Sequence, residues 1–176
     1  MNIPTLHTPR LILRPWSAED ADRLVAILQE PEIFRYFPRS DPWPRAKAEK
    51  YIAHHLAHWQ ERGYGHWAVV TPVDEQVVGW NGLEYLPETG EIEVAYLLSR
   101  LVWGQGYATE AARAAIHFGF TQCGLDEIIG LTHPENIASQ RVLEKCGLKF
   151  VDQLTLWGLE LFRYEIGCDA FLGDFH

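Results

Sequence analysis

At Trp103-Gly104-Gln105-Gly106-Tyr107-Ala108-Thr109, a β-rich part of the chain gives way to an Ala-rich part. Glycines in such a turn let the backbone approach a ligand closely and point several N–H groups in one direction. The helix that follows adds the positive end of its dipole. The turn therefore predicts a diphosphate site, with a tight helix start that binds no ligand as the alternative.

The residues before this turn predict a series of strands. The runs HWAVVT, QVVGWNGLEYL and EIEVAYLLS begin at His66, Gln76 and Glu91, and turn residues separate them. Their enrichment in β-branched and aromatic residues favours three antiparallel strands. Between them and the N-terminus, we expect a short strand over 10–14 and a helix that begins with the capping-box-like Ser17-Ala-Glu-Asp20.

The segment between the first helix and the strands holds a loop and a second helix. Residues 34–44 are rich in aromatic residues and proline, which favours an ordered loop. Helical spacing of apolar residues then predicts a helix over 45–62 that ends at Gly63.

After the glycine turn, the pattern predicts a helix over 104–123, a strand over 126–132, a helix over 136–146 and two strands over 148–156 and 159–166. The element order is then β-α-α-β-β-β-α-β-α-β-β. It predicts an α/β (α+β) protein with a mixed central sheet of about seven strands and helices on both faces. The chain length of 176 residues fits a single domain over 1–176.

Composition excludes some classes of function. The formal net charge of −9 argues against a general nucleic-acid binder. No apolar run is long enough for a membrane helix, and the N-terminus shows no signal-peptide pattern. The three cysteines are widely spaced and form no CxxC pair. We therefore expect a cytoplasmic protein that acts on neither nucleic acid nor membrane.

Two phosphate-binding patterns compete at the glycine turn. A dinucleotide fingerprint needs a third glycine where Thr109 stands, and it belongs at a first β-α crossing. The other pattern, [Q/R]-x-x-G-x-[G/A], is the pyrophosphate loop of the GNAT superfamily of N-acetyltransferases. Residues 103–108 resemble it at the glycine and alanine positions, although Trp103 replaces the usual Gln or Arg.

Three segments resemble the RimJ/RimL-like branch of that superfamily, which acetylates the N-termini of ribosomal proteins. They are WGQGYATEA, TPRLILRPWSAEDADRL and HPENIASQRVLEKCGLKF, and together they span nearly the whole chain in the right order. The resemblance implies the GNAT fold and acetyl-CoA as the acetyl donor. It also implies that Asn136 contacts the pantetheine arm, in addition to its expected role as a helix N-cap.

The expected cofactor site combines residues 98–109 with residues 136–145. Its members are Leu98, Trp103, Gly104, Gln105, Gly106, Tyr107, Ala108, Thr109, Asn136, Arg141 and Lys145. The resemblance implies that backbone N–H groups near Leu98 polarise the thioester carbonyl. Arg141, Lys145 and Arg100 are candidates for the phosphates of coenzyme A, with a solvated helix face as the alternative.

The sequence departs from the superfamily at the residue that protonates the departing thiolate. Many members carry Tyr four residues before the glycine that closes this helix, but Leu143 occupies that position here. Ser139 lies one helical turn earlier on the same face and is the candidate substitute. The alternative is that the Ser139 hydroxyl only makes a local hydrogen bond in the first turn of the helix.

The general base is expected on the last strand before the turn. An amine with the basicity of lysine is mostly protonated at neutral pH and must lose a proton before it attacks. Glu91 and Glu93 share one face of the strand, and Glu93 is the first candidate. Glu160 and His66 are weaker candidates, and a charged strand end that faces solvent is the alternative.

The aromatic loop is the expected acceptor site. The resemblance places acceptor contacts near the first two helices, which makes Phe34, Tyr36 and Trp43 candidates, with core packing as the alternative for each. His54, His58 and Glu61 share a helical face, but no fourth ligand accompanies them and no metal is expected.

These patterns predict an acetyl-CoA-dependent N-acetyltransferase. The expected partner is a primary amine, either a protein N-terminus or a small molecule, which attacks the thioester directly in a ternary complex. A non-catalytic acyl-CoA-binding module and a nucleotide-binding oxidoreductase remain as alternatives. The sequence leaves monomer and homodimer open, although the apolar tail over 168–176 is a candidate contact for a partner.

Overall fold

The computed structural model describes residues 2–38, 41 and 43–173. A mixed sheet of eight strands is the centre of the structure. The strands are β1 Leu6–His7, β2 Ile12–Arg14, β3 His66–Thr71, β4 Gln76–Leu86, β5 Glu91–Leu98, β6 Glu127–Thr132, β7 Lys149–Leu156 and β8 Leu159–Gly167. They lie in the order β1-β2-β3-β4-β5-β6-β8-β7. The β5–β6 pair is parallel and the other neighbouring pairs are antiparallel.

Helices cover both faces of this sheet, as the sequence predicts. They are α1 Ala21–Leu28, α2 Arg45–Arg62, α3 Tyr107–Gln122, α4 Ile137–Lys145 and α5 Cys168–Gly173. Short 3-10 turns over Ala18–Asp20 and Arg100–Val102 precede α1 and α3. None of these described helices has the length and apolar composition needed to cross a bilayer.

The predicted order of elements is confirmed, with two additions. Strand β1 has only two residues, too few for a periodic pattern, and it pairs with β2 across the turn in which Thr8 N–H donates to the Leu11 carbonyl at 2.9 Å. Helix α5 is the second addition. The predicted capping box is also present, since Ser17 N–H donates to the Asp20 carboxylate at 2.8 Å.

Two apolar cores lie on opposite faces of the sheet. On one face, α1 and α2 pack on residues such as Ala68, Trp80 and Leu97. On the other face, the alanines of α3 pack on Leu83 and Val94 together with residues of α4 and β6. Alternate residues of β5 therefore face different helix layers, and this alternation separates the two sides of the site described below.

The expectation of an exposed C-terminal tail is wrong for Phe171. This side chain is only 4% exposed, and it packs on Phe120 of α3 with ring centroids 5.4 Å apart. Leu172 is 36% exposed, and Phe175 lies outside the described residues. Burial of one aromatic ring against the chain's own core gives this end of the chain a structural role.

Candidate active site

A gap opens in the middle of the sheet between β5 and β6. Along the described chain, the two strands are in register only at Glu93 and Ile129. Beyond that pair β5 continues to Leu98 and β6 to Thr132. Two parallel strands that separate in this way leave an open slot lined by backbone groups.

The slot presents backbone donors from β5. This strand stays paired with β4 along its length, and at the end the Ser99 N–H donates to the Val78 carbonyl at 2.7 Å. Because the hydrogen bonds of a strand alternate between its two sides, the N–H groups of Tyr96 and Leu98 point away from β4 and toward the slot. The Leu98 carbonyl accepts a 2.7 Å hydrogen bond from the Trp103 indole N–H, which ties the glycine turn to the end of β5.

The glycine turn leads from the slot into helix α3. Gly104 and Gly106 have φ values of 74° and 80°, a region that disfavours residues with a Cβ atom. The N-terminus of α3 carries no side-chain cap. The N–H groups of its first turn are therefore available to an anionic group, where the helix dipole also favours negative charge.

Arg10 holds this turn in place, a contact that the sequence reasoning missed. Its guanidinium donates to the Gln105 carbonyl at 2.7 Å and to the Glu110 carboxylate at 2.7 Å. It also lies 4.8 Å from the centre of the Tyr107 ring. Arg10 belongs to the TPRLILRPW segment, far from the glycine turn along the chain. No local sequence pattern therefore indicated this contact.

Helix α4 begins on the other side of the slot. Asn136 caps it, as predicted, by accepting a hydrogen bond from the Ser139 N–H at 3.2 Å. The Tyr96 hydroxyl from β5 lies 2.9 Å from Ser139 Oγ and donates to the Ser139 carbonyl at 3.2 Å. Burial raises the pKa of the Tyr96 phenol far above its usual value, so this hydroxyl keeps its proton. The structure thus brings Ser139 to the slot with a second hydroxyl that the sequence reasoning missed.

Leu143 is a core residue rather than a site residue. It is 1% exposed, and a Cβ atom added at Gly130 of β6 would come within 2.4 Å of its Cδ2 atom. The position that carries Tyr in many GNAT enzymes therefore packs tightly under β6 in this chain.

The predicted basic residues separate into two groups. Arg141 and Lys145 lie one turn apart on exposed positions of α4. The C-terminal end of α4 packs against the first turns of α3, since Cys146 Sγ donates to the Thr109 carbonyl at 3.7 Å and Arg113 Nε donates to the Lys145 carbonyl at 3.1 Å.

Arg100 lies on a different side of the turn. Its backbone N–H donates to the Glu30 carboxylate at 2.6 Å, and its guanidinium donates to the Pro31 carbonyl at 3.1 Å. Because Ser99 Oγ also donates to Glu30, at 2.6 Å, this carboxylate fixes the end of β5 to the segment after α1. Arg100 is thus engaged by the α1 side of the molecule.

Glu93 sits where the strands separate and faces the α1–α2 layer. Burial and, to a smaller extent, the negative charge of Glu84 raise the pKa of its carboxyl to about 8, against the opposing effect of a hydrogen bond from the Leu131 backbone. Glu84 is its directly opposite partner on β4. A partly buried carboxyl at the mouth of the slot, with its pKa raised to about 8, is suited to take up a proton.

The other candidate bases have different surroundings. Glu160 is exposed, and hydrogen bonds from Thr155 and Gln153 lower the pKa of its carboxyl. His66 is 3% exposed, and its Nδ1 atom lies 2.8 Å from the Tyr51 hydroxyl. Burial lowers the pKa of the His66 imidazole to about 3.

The predicted acceptor residues divide between the core and the slot. Phe34 and Trp43 stack with ring centroids 6.4 Å apart and pack against the α1–α2 core. Tyr36 instead stacks on His133, with ring centroids 5.3 Å apart. Because His133 lies between β6 and α4, the Tyr36–His133 pair connects the loop after α1 to the far wall of the slot.

Glu61 of α2 is exposed, and among the three predicted metal-ligand candidates it interacts electrostatically with His58. His54 Nε2 and His66 Nε2 instead lie 3.8 Å and 3.7 Å from the carboxylate oxygens of Glu84. The sequence reasoning did not assign Glu84 to the site, although its place on the strand beside Glu93 offered a signal.

Comparisons with known proteins agree with this geometry. The acetyltransferase (GNAT) domain family matches residues 10–149. One relative is FsC-acetyl coenzyme A-N(2)-transacetylase of Aspergillus fumigatus, which is 32% identical over 163 residues. The match covers 85% of this chain and 66% of that protein, so the chain spans about two thirds of its relative.

Solved structures show the same fold. An acetyltransferase of Agrobacterium tumefaciens has a TM-score of 0.80 at 27% identity, over 94% of this chain and 95% of that one. The structure of RimL, a ribosomal L7/L12 alpha-N-protein acetyltransferase in complex with coenzyme A, has a TM-score of 0.78 over 97% of this chain and 99% of that one. At 15% identity, this second likeness concerns the fold alone.

Proposed function

The chain belongs to the GNAT family of acetyltransferases, and we propose that it moves the acetyl group of acetyl-CoA to a primary amine by direct attack in a ternary complex. The observation that carries this proposal is the slot between β5 and β6, which leads directly to the uncapped N-terminus of α3. The pyrophosphate of such a cofactor fits the glycine turn and the N-terminus of α3, and its flexible arm fits the narrow slot.

The donor half of the site supports binding of acetyl-CoA over 98–109 and 136–145. The N–H groups of the glycine turn and of the first turn of α3 are suited to the pyrophosphate. Arg141 and Lys145 flank that region from α4 and supply positive charge in a chain whose net charge is −9. The Asn136 amide N–H₂ is free to meet the pantetheine arm while its oxygen caps α4.

The chemistry follows from the two faces of β5. The N–H groups of Tyr96 and Leu98 stabilise negative charge on the thioester oxygen as the tetrahedral intermediate forms. Glu93, on the α1–α2 side, takes the proton that the attacking amine loses. Ser139, on the α3–α4 side, donates a hydrogen bond to the departing thiolate, and Tyr96 positions it.

The proposed acceptor is a protein N-terminus or a small primary amine, which approaches from the side of the Tyr36–His133 pair and Glu93. Acetyl transfer to nitrogen is supported by the similarity to an FsC-acetyl coenzyme A-N(2)-transacetylase, and a protein N-terminus is the acceptor of the structurally similar ribosomal L7/L12 alpha-N-protein acetyltransferase. The acidic slot mouth, with Glu84 and Glu93 side by side, favours a cationic amine over an anionic group. We further propose that the protein is cytoplasmic, and that it acts as a monomer or a homodimer.

A free-thiol assay with acetyl-CoA tests this function. Peptides with free N-termini are compared with spermidine and with aminoglycosides, and isothermal titration measures binding of acetyl-CoA and of CoA. Acetyl transfer to one amine class, with micromolar binding of acetyl-CoA, is the expected result. Binding without transfer to any amine would identify a non-catalytic acyl-CoA module, and binding of NAD(H) in place of acetyl-CoA would revive the oxidoreductase alternative.

A further inference from the structure

A row of titratable side chains crosses three strands on the α1–α2 face of the sheet. It runs from His66 on β3 to Glu84 on β4 and Glu93 on β5. Helix α2 adds His54, whose Nε2 atom lies 3.8 Å from Glu84 Oε1. His66 Nε2 lies 3.7 Å from Glu84 Oε2, so Glu84 occupies the centre of this row.

Exposure increases along one branch of the row. Glu93 is partly buried at the strand separation, the Glu84 side chain is 30% exposed, and the His54 side chain is 62% exposed. A proton taken up by Glu93 in each turnover has to leave before the next one. The branch through Glu84 to His54 leads from this partly buried carboxyl to an exposed imidazole.

We propose that Glu84 and His54 carry the proton from Glu93 to solvent, so that both act as positioning residues for the proton-transfer step. This inference rests on the proposed function, because it assumes that Glu93 deprotonates the amine. The 3.8 Å between His54 Nε2 and Glu84 Oε1 exceeds a direct hydrogen bond, and a small side-chain rotation would close it.

The proton balance of the path is complete. The ammonium form of the amine gives up two protons: the one lost as the C–N bond forms and the C–S bond breaks goes to the departing CoA thiolate, and the one lost before the attack goes to the ionised Glu93 carboxylate. The proton on Glu93 passes to the Glu84 carboxylate and then to the His54 imidazole. The resulting imidazolium releases it to water or buffer, and both carboxylates return to the ionised form. No other reactant is required.

The buried histidines are unsuited to this role. His66 is tied to the Tyr51 hydroxyl, and the ring of His55 stacks on it with centroids 3.9 Å apart. Burial lowers the pKa of both imidazoles, that of His66 to about 3 and that of His55 further. They therefore stay neutral near pH 7, and protonation of either is costly. His58 is 8% exposed, and burial also lowers its pKa.

Neighbouring charged groups also change the pKa of the Glu84 carboxyl. Burial raises the pKa of its carboxyl, and the charge of Glu88 raises it further, while His54 lowers it. The Tyr96 phenol lies on the opposite face of the same strand as Glu93, and burial raises its pKa so that it remains protonated. A raised pKa makes the Glu84 carboxylate a better proton acceptor than an ordinary carboxylate, which suits an intermediate carrier.

Chemical rescue tests the path with the best amine from the acceptor screen. We expect His54→Ala to lower kcat about tenfold in weak buffer above pH 7 while the KM for acetyl-CoA stays unchanged, and added imidazole to restore most of the loss. Glu84→Gln is expected to lower the limiting kcat and to shift the midpoint of the pH profile to lower pH, because it removes a negative charge beside Glu93. His7→Ala, which replaces an exposed histidine on β1, is the matched control and should show neither effect.

The outcomes separate the relay from the function itself. If Glu93→Gln lowers kcat while His54→Ala keeps the native rate in weak buffer, the relay is wrong and acetyl transfer stands. A loss in His54→Ala that imidazole does not restore assigns His54 a structural role and also overturns the relay. If the native protein transfers acetyl groups to none of the amines, the proposed function fails first. Circular dichroism of each variant checks that the fold is retained.

Discussion

The Tyr96 hydroxyl lies 2.9 Å from Ser139 Oγ, on the opposite face of β5 from the Glu93 carboxyl. Residues 93 and 96 differ by an odd number, so the alternation of the strand sends them to different helix layers. The group proposed to take the amine proton and the group proposed to serve the thiolate are thus on two sides of one slot. An amine can enter from one side while the thiol of CoA leaves from the other.

Ser139→Ala should lower kcat about tenfold, because one hydrogen bond to a developing charge contributes about 1.5 kcal/mol or more. Its effect on acetyl-CoA affinity should be small, since the ground-state thioester carries little charge on sulfur. Steady-state kinetics and isothermal titration measure the two quantities. Tyr96→Phe should give a smaller loss of kcat because it frees Ser139 without removing it. Native turnover in Ser139→Ala would remove this serine from the mechanism.

Glu93→Gln should lower kcat by about 10²-fold, within the range that general bases contribute. The pKa of the Glu93 carboxyl is about 8. The native rate should therefore rise with pH through that value, because only the ionised carboxylate takes a proton. Glu91→Gln is the matched control on the same strand face, where the side chain is paired with Arg163. A pH profile in Glu93→Gln that keeps the native midpoint would contradict the assignment.

The Glu93 carboxyl should also make the free energy of unfolding depend on pH. Its pKa rises from 4.5 in the unfolded chain to about 8 in the folded protein. Above pH 4.5 the unfolded chain binds fewer protons at this site, so the free energy of unfolding falls as pH rises toward 8 and then levels off. Glu93→Gln should remove this part of the slope. Urea unfolding at several pH values measures it, and a slope equal to the native one would place Glu93 in an ordinary solvated setting.

Much of the donor half was predictable because its signals are local in sequence. The turn over 103–109 and the cap at Asn136 each use residues within a few positions, and local backbone chemistry determines them. Helix α2 was likewise predicted with its observed end, since Gly63 adopts the left-handed conformation that ends a helix.

The acceptor half was less predictable because it is assembled by tertiary contacts. Glu84 meets Glu93 through strand register, and Arg10 meets Gln105 across most of the chain. Phe34 and Tyr36 are two residues apart, yet one packs on the core and the other stacks on His133. No periodic pattern in the loop distinguishes these two aromatic residues, so their separate roles depend on the fold.

Arg10→Ala should weaken acetyl-CoA binding by roughly threefold to tenfold, because the glycine turn loses its hydrogen bonds at Gln105 and Glu110. The partial exposure of Arg10 keeps the expected effect modest. Arg10→Lys should restore only part of the affinity, since lysine lacks the planar fork that reaches both partners. Arg45→Ala, which removes an exposed arginine from α2, is the control. Isothermal titration measures the affinities, and native affinity in Arg10→Ala would show that the turn needs no such support.

Leu143→Tyr tests whether the usual acid of the superfamily can be restored. Leu143 is 1% exposed, and its Cδ2 atom crowds Gly130 of β6. A tyrosine would overpack this space and bury a hydroxyl, so the variant should lose about 1–3 kcal/mol of unfolding free energy and gain no turnover. Leu143→Met conserves volume and should cost less than about 1.5 kcal/mol. Urea unfolding measures both, together with kcat at saturating acetyl-CoA. A stable Leu143→Tyr variant with higher kcat would show that the helix can turn this position toward the slot, and the assignment of Ser139 to the thiolate would then be unnecessary.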